Sequence, residues 1–191
     1  RLFQDRRFFH GDGRARLVPT APRAPVNAVD DEFPLVLNTG RIRDQWHTMT
    51  RTGRAPRLAS HLPEPFVEMH PYEAMLCGVQ DGALVRVASR WGAMVARLRC
   101  TADQPRRTVF VPIHWNDQRA SDARVGALVN PVVDPLSGEP EFKHTPVMVS
   151  PFPVDWHGVV YSRSPLQFAG REAPAYWVCI QGDGFLCLLY T

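Results

Sequence analysis

Lysine is nearly absent from this sequence of 191 residues. Lys143 is the only one, so arginine carries almost all of the positive charge, and the formal net charge is only +3. The planar guanidinium group of arginine suits phosphate and carboxylate groups better than a point charge does. The composition therefore favours discrete contacts with anions over an extended nucleic-acid-binding surface, and we expect no nucleic-acid partner.

Closely spaced cysteine pairs and long apolar runs are also missing. The cysteines form no C-x-x-C pair and no zinc-finger spacing, and we therefore expect reduced thiols at Cys77, Cys100, Cys179 and Cys187. No stretch approaches the roughly 20 apolar residues that a membrane span needs, so we expect a soluble protein. The amino-terminal segment lacks the apolar region of a secretory signal, but it does not begin with Met and says nothing about export.

Long helices are unexpected, because 18 prolines are more than long helices or central strands could hold. Apolar residues make up 45% of the chain and charged residues 21%, which is ordinary for a globular protein. We divide the chain into an irregular approach arm at 1–32, a compact domain at 33–150 and a carboxy-terminal tail at 151–191. The tail either packs on the domain or leads to a further module.

Short strands and one or two short helices are predicted within the compact domain. A buried strand at Leu35–Leu37 precedes a helical turn at about Arg41–Met49, and Pro71 to Gly78 has the start and stop signals of a second helix. Alternating apolar residues predict strands at Ala83–Ala88, Ala93–Cys100, Thr108–Ile113 and Pro146–Val149, the first two forming a hairpin. These elements indicate a small β-barrel.

The densest polar cluster runs from Thr39 to Arg54, directly after the first strand. A strand that ends in glycine and opens into a helix aims free backbone N–H groups outward, which is a common way to hold phosphate. Arg41, Arg43, Arg51 and Arg54 could add charge-assisted hydrogen bonds, and Trp46 offers a flat surface for a ring. On these residues alone, the pattern equally fits a basic, solvated loop with Trp46 in the core.

Metal-site and hydrolase motifs do not stand out. His61 with Glu64, or Glu68 with His70, could be imagined as metal ligands, but neither pair has a third partner at zinc-site spacing. The strings HLPEPF and MHP better fit a proline-rich loop and the start of a helix. No G-x-S-x-G, H-E-x-x-H or Walker sequence is present, so nothing supports hydrolase or nucleotide-hydrolysis activity.

Several spaced strings resemble one known domain. LNTGRIRDQWHTMTRTG is followed in order by HLPEPFVEMHPYEA, GVQDGALVRVASRWG, VFVPIHW and DPLSGEPEFK. Together they resemble the molybdopterin-dinucleotide-binding domain of bacterial molybdenum oxidoreductases. The wording RDQWHTMTRTG, and RFFHGDGRARLVP before the domain, are most similar to assimilatory nitrate reductases. The match runs from about Leu2 to Val149.

The resemblance implies a mainly β fold with short helices, built as a six-stranded double-psi β-barrel. It implies a bis-molybdopterin guanine dinucleotide cofactor with molybdenum, and nitrate as the substrate reduced to nitrite in the cytoplasm. The molybdenum ligand and a 4Fe-4S cluster would belong to preceding domains of the same polypeptide. We therefore expect no catalytic residue and no metal ligand in this chain, and no activity from it alone; the electron donor is undetermined.

The family's main contact loop with the dinucleotide corresponds to Thr39–Thr48. The residues carried over are Thr39, Gly40, Arg41, Ile42, Arg43, Asp44, Gln45, Trp46, His47 and Thr48. His114 lies where the family places a residue near the substrate funnel, although a satisfied loop histidine fits equally well. Lys143 matches a cofactor-contacting lysine, and a surface lysine is the alternative.

One position departs from the family pattern. Gly126 stands where the family usually has an asparagine, so a side-chain contact with the cofactor is impossible there, and Asn130 is a doubtful substitute. Asp134 and Ser137 are expected to shape their own turn. Two related enzymes share the fold, formate dehydrogenase and periplasmic nitrate reductase. A stand-alone barrel that binds protein or nucleic acid is the alternative from another class, and it predicts salt-sensitive binding.

Overall fold

The computed structural model describes residues 1–164, 166, 174–181 and 185–190. Six strands close into a barrel in the order β1-β5-β2-β4-β3-β6. They are β1 (Leu35–Gly40), β2 (Phe66–Met69), β3 (Leu84–Ala88), β4 (Ala93–Cys100), β5 (Thr108–Pro112) and β6 (Thr145–Pro151). The expected mainly β fold with a six-stranded barrel is confirmed.

Two strand pairs in the barrel are parallel. Strand β1 runs parallel to β5, with Thr39 opposite Val111, and β2 runs parallel to β4, with Val67 opposite Leu98. The β3–β4, β3–β6, β1–β6 and β2–β5 pairs are antiparallel. The loop after β1 and the segment after β5 consequently leave the barrel side by side, and this pairing positions the candidate site.

Alternating small and branched apolar residues fill the barrel interior. Leu37, Val67, Val85, Leu98 and Val109 are all fully buried in one cluster. Successive side chains of a strand point to opposite faces, so each strand contributes every second residue to this core. The predicted hairpin and the predicted strand at β5 are confirmed. The strand near Pro146 is longer than predicted and extends from Thr145 to Pro151.

Two short helices, α1 (Pro56–Ala59) and α2 (Pro71–Leu76), precede and follow β2. Both begin with a proline, whose fixed φ suits the first helical position. The side chain of His70 caps α2 by accepting a hydrogen bond from the Tyr72 N–H, and Gly78 after it has φ +67. The predicted second helix is confirmed, together with the role of MHP as its start.

One strand was missed in the sequence, because HLPEPF and the residues after it were interpreted as a proline-rich loop. Strand β2 begins at Phe66, immediately after Pro65, and lies between β5 and β4 in the barrel. Three of its four residues are buried and only Glu68 is half-buried. The strand therefore lacks the alternation of apolar and polar residues that marks a strand with one face in solvent. A four-residue strand buried on both faces gives a weak signal in the sequence.

The carboxy-terminal tail forms a three-stranded sheet with the order β7-β9-β8. Its strands are β7 (His157–Ser162), β8 (Tyr176–Gln181) and β9 (Phe185–Tyr190). Tyr176 and Val178 of β8 are fully buried in a second apolar cluster that also contains Leu84, Val95 and Trp115. The sheet therefore packs on the outside of the barrel through β8.

The cysteines differ from the expectation at one position. Cys77 and Cys100 are free thiols, and burial raises the pKa of each. Cys179, however, is disulfide-bonded, and its register partner across the sheet is Cys187. The expectation of four reduced thiols is therefore wrong for Cys179, and the side chain of Cys187 lies outside those that the structure describes.

Among the described helices, none is both long and apolar enough to cross a membrane.

Candidate functional site

The loop after β1, residues 41–53 and here called the β1 loop, is not helical. It consists of turns and runs into a 3-10 turn at Thr52–Arg54. The predicted helix at Arg41–Met49 is therefore wrong. His47 and Met49 have positive φ values of 44° and 60°. Left-handed backbone at non-glycine residues is unfavourable by roughly 1 to 3 kcal/mol each, so contacts from elsewhere must hold it.

His114 holds the first half of the β1 loop. It is fully buried just after β5; its Nδ1 lies 2.6 Å from the carbonyl oxygen of His47, and its Nε2 lies 2.9 Å from the Ile42 nitrogen. A carbonyl can only accept and an N–H can only donate, so Nδ1 carries the proton and Nε2 accepts. Burial lowers the pKa of this imidazole, in agreement with a neutral ring that bonds the backbone at both ends.

Gln45 and Thr52 form the internal support of the loop. The Thr52 hydroxyl donates to the Gln45 side-chain oxygen at 2.7 Å and accepts from the Trp46 N–H at 3.2 Å. The Gln45 amide also donates to the carbonyl of Leu58 in α1. Because Gln45 is buried and its amide groups are used in this way, its geometry supports a structural role.

Asp44, Arg43 and His61 form a cluster at the rim of the loop. Arg43 donates to both carboxylate oxygens of Asp44, at 3.0 and 3.1 Å, and His61 Nδ1 lies 2.8 Å from Asp44 Oδ2. Hydrogen bonds from Arg43 and then His61 lower the pKa of Asp44. The positive charge of Arg43 is therefore largely matched within the loop, whereas Arg41 forms no ion pair among the described residues.

Arg41 and Trp46 form the outward face of the loop. The Arg41 guanidinium lies 4.5 Å from the centre of the Trp46 ring, and Trp46 is 54% exposed. Within the part of the chain that the structure describes, several loop N–H groups have no hydrogen-bond acceptor. They are those of Arg41, Arg43, Asp44, His47, Thr48, Thr50, Arg51 and Thr52. The face therefore combines a cation, an exposed ring and unused backbone donors.

Lys143 reaches the same face from the other end of the domain. Its Nζ donates to the carbonyl oxygen of Thr39 and lies 3.4 Å from the Thr39 hydroxyl, and that hydroxyl donates to the Phe142 carbonyl at 3.1 Å. The chain's one lysine is thus anchored at the end of β1, where the β1 loop begins. Residues separated by 104 positions in the sequence are brought together here.

Gly40 allows the end of β1 to lie against an aromatic ring. A Cβ atom at this position would be 2.6 Å from Cε2 of Phe110 on the neighbouring strand β5. The Gly40 carbonyl accepts a hydrogen bond from the Ile113 N–H at 2.9 Å, which continues the parallel pairing into the segment that carries His114. A side chain at Gly40 would separate the two segments that together support the loop.

Asn130 has a structural role close to Lys143. Its side-chain nitrogen donates to the carbonyls of Glu141 and His144, at 3.2 and 3.0 Å, and its side-chain oxygen accepts from the Val132 N–H. The residue is buried, and its amide ties both ends of the loop that carries Lys143. Asn130 therefore does not offer this amide in place of the asparagine that the family has at Gly126.

The DPLSG turn at the tip of the same loop agrees with the sequence. Oδ1 of Asp134 accepts from the N–H groups of Leu136 and Ser137 and from the Ser137 hydroxyl, at 2.8 to 3.0 Å. These hydrogen bonds lower the pKa of Asp134. The predicted turn-forming role of Asp134 and Ser137 is confirmed.

The structure groups the sequence-predicted residues into two sets. Thr39, Gly40, Lys143 and His114 surround the β1 loop or support it, and Arg41, Arg43, Trp46, His47 and Thr48 lie on its exposed face. Ile42, Asp44 and Gln45 are at least half-buried and serve the loop itself. Two supporting residues were not predicted: Thr52, which lies within the motif but was not assigned a role, and Arg119, which lies outside every motif.

The described residues contain no group of three or more His, Cys, Asp or Glu side chains that could hold a metal ion. His61 is bonded to Asp44 and Arg43, and Glu64 makes a bidentate ion pair with Arg97. Glu68 lies within β2, whereas His70 lies between β2 and α2, where it caps the helix.

Comparison with known proteins identifies one family. The family described as "Molydopterin dinucleotide binding domain" matches residues 35–146, more than half of the chain. A nitrate reductase of Klebsiella oxytoca is 48% identical over 159 residues, covering 83% of this chain and 18% of the relative. The F420-dependent formate dehydrogenase subunit alpha of Methanocaldococcus jannaschii is 34% identical over 137 residues, covering 72% of this chain and 20% of the relative.

A third relative is the assimilatory nitrate reductase catalytic subunit of Bacillus subtilis, which is 33% identical over 153 residues, covering 79% of this chain and 21% of the relative. The chain therefore spans about a fifth of the length of each of these relatives. The family match begins at the first residue of β1 and ends within β6, so it contains the barrel, the β1 loop, His114 and Lys143.

Proposed function

This chain belongs to the molybdopterin dinucleotide-binding domain family, and from that premise we propose that the β1 loop and Lys143 bind the dinucleotide portion of a bis-molybdopterin guanine dinucleotide cofactor. The complete protein would be an assimilatory nitrate reductase that reduces nitrate to nitrite. The family match and the nitrate reductase relatives support this proposal. The residues of the loop give it a chemical basis.

The donor groups of the loop fit a pyrophosphate. Phosphate oxygens accept hydrogen bonds from backbone N–H groups and guanidinium groups, and the β1 loop contains both kinds of donor, Arg41 and several N–H groups without an acceptor. Trp46, which is 54% exposed, suits stacking against a planar heterocycle. Because its positive charge is not matched by a carboxylate among the described residues, Arg41 is the strongest candidate for the direct anion contact.

The observation that carries the proposal is the position of Lys143. It lies at the carboxyl end of β1, where the β1 loop begins with Arg41, an arginine that has no ion pair among the described residues. Lys143 is bonded to Thr39, two residues before Arg41, and two cations at the start of one loop favour a bound anion. Asn130 fixes the loop that delivers Lys143 to this place.

The division of labour follows from these contacts. When bound, the cofactor would supply the two-electron chemistry that nitrate reduction needs. This chain would hold the distal part of the cofactor through Arg41 and Lys143 and orient it through the rigid β1 loop. His114 would act on the loop, because both of its ring nitrogens are bonded to loop backbone. We propose that the metal ligand, the 4Fe-4S cluster and catalysis belong to preceding domains.

Nitrate is favoured over formate as the substrate, because the nitrate reductase relative is 48% identical and the formate dehydrogenase relative 34%. The assimilatory relative supports a cytoplasmic location. One observation favours the periplasmic alternative: Cys179 is disulfide-bonded, and stable disulfides are typical of oxidising compartments. Cell fractionation with an antibody against this chain distinguishes the two locations.

The substrate is tested with the complete reading frame that encodes this chain. The purified protein, loaded by growth in molybdate, is assayed with a reduced artificial donor and nitrate, and separately with formate and an oxidised acceptor. We expect nitrite formation that depends on molybdate, and no formate oxidation. Formate oxidation without nitrite formation would assign the chain to the other relative.

The cofactor contact is tested with Arg41→Ala in the same protein. Loss of a charge-assisted hydrogen bond is worth about 1.5 to 3 kcal/mol, so we expect cofactor affinity to fall by roughly tenfold or more. The measurements are molybdenum content by elemental analysis and guanine nucleotide released on denaturation. Arg86→Ala, which removes an exposed arginine from β3, is the matched control. Equal cofactor content in both variants would exclude the proposed role of Arg41.

A further inference from the structure

The far end of the β1 loop is held by a residue outside the proposed cofactor contacts. Arg119, in the segment after β5, donates from its two terminal nitrogens to the carbonyl oxygens of Gly53 and Met49, at 3.2 and 3.3 Å. Burial and the nearby Arg54 lower the pKa of Arg119. Across the described ranges it has no carboxylate partner, so its guanidinium group is committed to the loop backbone.

Arg119 completes a pattern that His114 begins. His114 bonds the carbonyl of His47, and Arg119 bonds the carbonyl of Met49, and these are the two residues of the loop with positive φ. The fit is close at Gly53, where a Cβ atom would lie 2.5 Å from Cζ of Arg119. One segment, residues 114–121, thus holds both left-handed positions of the loop.

The carboxy-terminal sheet holds that segment in turn. The Cys179 N–H donates to the Arg119 carbonyl at 2.7 Å, and the Ser121 N–H donates to the Trp177 carbonyl at 2.9 Å. The Trp177 N–H donates to the Ser121 hydroxyl at 2.9 Å, and Ala120 forms a β-bridge with Val178. Strand β8 therefore pairs with the backbone on both sides of Ala120.

The β1 loop, the segment at residues 114–121 and strand β8 also pack against one another through buried side chains. The side chains of Met49 from the loop, Ala120 from the segment, and Tyr176 and Val178 from β8 share one apolar cluster and are at most 3% exposed. Moving β8 away would expose Met49 to water and remove the partner of the Arg119 backbone. The position of the loop is thus coupled to the sheet by packing as well as by hydrogen bonds.

We infer that the carboxy-terminal sheet is a positioning element for the β1 loop, and that Arg119 is the positioning residue through which it acts. The inference rests on the proposed function in one respect, that the loop binds the dinucleotide. The family match ends at residue 146, so β7, β8 and β9 lie outside the matched residues. The sheet would be an added support that keeps a conformationally unfavourable loop ready for its ligand.

The first test measures the loop without any cofactor. The complete protein, produced in molybdate-free medium, is compared with Arg119→Met by hydrogen–deuterium exchange. Loss of two hydrogen bonds from a charged donor should make the hydrogen-bonded amides of the loop exchange roughly tenfold faster or more, with the barrel strands unchanged. These are the amides of Ile42, Gln45, Trp46, Met49 and Gly53. Arg124→Met is the control, because Arg124 lies in an adjacent part of the chain, is 62% exposed and pairs with Asp117. Unchanged exchange in the loop would overturn the inference.

The second test changes a residue of the carboxy-terminal sheet and measures the β1 loop. Val178→Ala removes buried contacts of β8 and should speed exchange in both residues 119–121 and the β1 loop, and Val159→Ala, at a half-exposed position on β7, should not. If Arg119→Met does not fold, the comparison of Val178→Ala with Val159→Ala still tests whether the sheet positions the loop. Faster exchange in the tail alone, with the loop unaffected, would show that the sheet does not position the loop.

The two proposals fail in different ways. Faster loop exchange in Arg119→Met, combined with unchanged cofactor content in Arg41→Ala, would keep the positioning role and exclude the binding role. With both proposals correct, molybdenum-loaded Arg119→Met should also release its cofactor several-fold faster on dilution than Arg124→Met. Arg119→Lys should recover part of this difference, because a lysine keeps the charge and can still donate to one of the two carbonyls.

Discussion

Two connections between barrel strands are held in shape in very different ways. The β3–β4 turn at Ser89–Gly92 is supported mainly by its own residues: the Ser89 N–H donates to the Gly92 carbonyl at 2.8 Å, and the Ser89 hydroxyl accepts from the N–H groups of Trp91 and Gly92. The β1 loop takes its shape from residues far along the chain, namely His114 and Arg119. One is a local structure, and the other depends on the completed fold.

A loop that only joins two strands and a loop that binds a ligand need different kinds of support. A turn that holds itself needs few donors from outside; its long-range hydrogen bonds run outward, from the Ser89 hydroxyl to the Leu128 carbonyl and from the Arg90 side chain to Asp30 and Glu32. The β1 loop leaves N–H groups unused on its outer face while its inner face is fixed by buried side chains. A ligand site benefits from this arrangement, because rigid, unpaired donors bind without reordering.

The largest effect is expected where the local turn is broken. In Gly92→Ala, the new Cβ would lie 2.4 Å from the carbonyl oxygen of Ala127, which belongs to a 3-10 turn at Val125–Ala127. Backbone atoms must shift to relieve this contact, so we expect the free energy of unfolding to fall by about 1 to 3 kcal/mol. Urea denaturation of this chain measures the change.

Gly126→Ala is the control for that variant, because its Cβ would meet nothing closer than 4.0 Å. It should leave the stability within about 0.5 kcal/mol of the parent chain. The comparison also predicts that Gly92→Ala leaves hydrogen exchange in the β1 loop unchanged at low denaturant. Equal loss of stability in the two glycine variants would contradict the packing argument.

A smaller, pH-dependent effect is expected in the β1 loop. His114→Gln loses at least one of the two buried hydrogen bonds, so above pH 7 we expect the free energy of unfolding to fall by about 0.5 to 1.5 kcal/mol. Burial lowers the folded-state pKa of His114. Its contribution is therefore complete above the ordinary histidine pKa of about 6.5 and is lost as the pH falls through the lower, folded-state value.

Urea denaturation between pH 8 and 5 tests this prediction. The parent chain should lose stability on acidification more steeply than His114→Gln, so that the difference between them narrows at low pH. His61→Gln is the matched control, because it removes an exposed histidine next to the same loop. Parallel pH profiles for the parent chain and His114→Gln would show that the buried imidazole does not titrate on unfolding.

The sequence predicted the structures that are determined locally. The β3–β4 hairpin, helix α2 with Gly78 and the Asp134 turn each depend on residues within a few positions of one another, and all three are confirmed. Strand β2 was missed, because four residues buried on both faces after a proline resemble a loop. The closed barrel itself was reached only through family resemblance, since long-range pairing leaves little trace in a local pattern.

The candidate site was predicted in its members but not in its shape. Arg41, Trp46 and Lys143 were identified by motif, yet the stretch Arg41–Met49 was expected to be helical because it contains no glycine or proline. The structure instead places His47 and Met49 in the left-handed region, which only distant partners stabilise. Arg119 could not have been found from the sequence, because its role depends on the pairing of β8 with residues 119–121.

The smallest expected effect probes the left-handed backbone directly. His47 has φ +44° and an exposed side chain, so His47→Gly should relieve strain while making the unfolded chain more flexible. These two contributions oppose each other, and we expect a stability within about 0.5 kcal/mol of the parent chain. A β-branched residue tolerates positive φ least, so His47→Val should be less stable than His47→Gly by about 1 kcal/mol or more.

The neighbouring Thr48 provides an internal control, because it is also exposed and does not have positive φ. There the order should reverse: Thr48→Gly should be less stable than Thr48→Val, since glycine only adds freedom to the unfolded chain. Urea denaturation of the four variants measures both differences. The same order at both positions would mean that the loop is free to relax, and that His114 and Arg119 do not impose its left-handed turns.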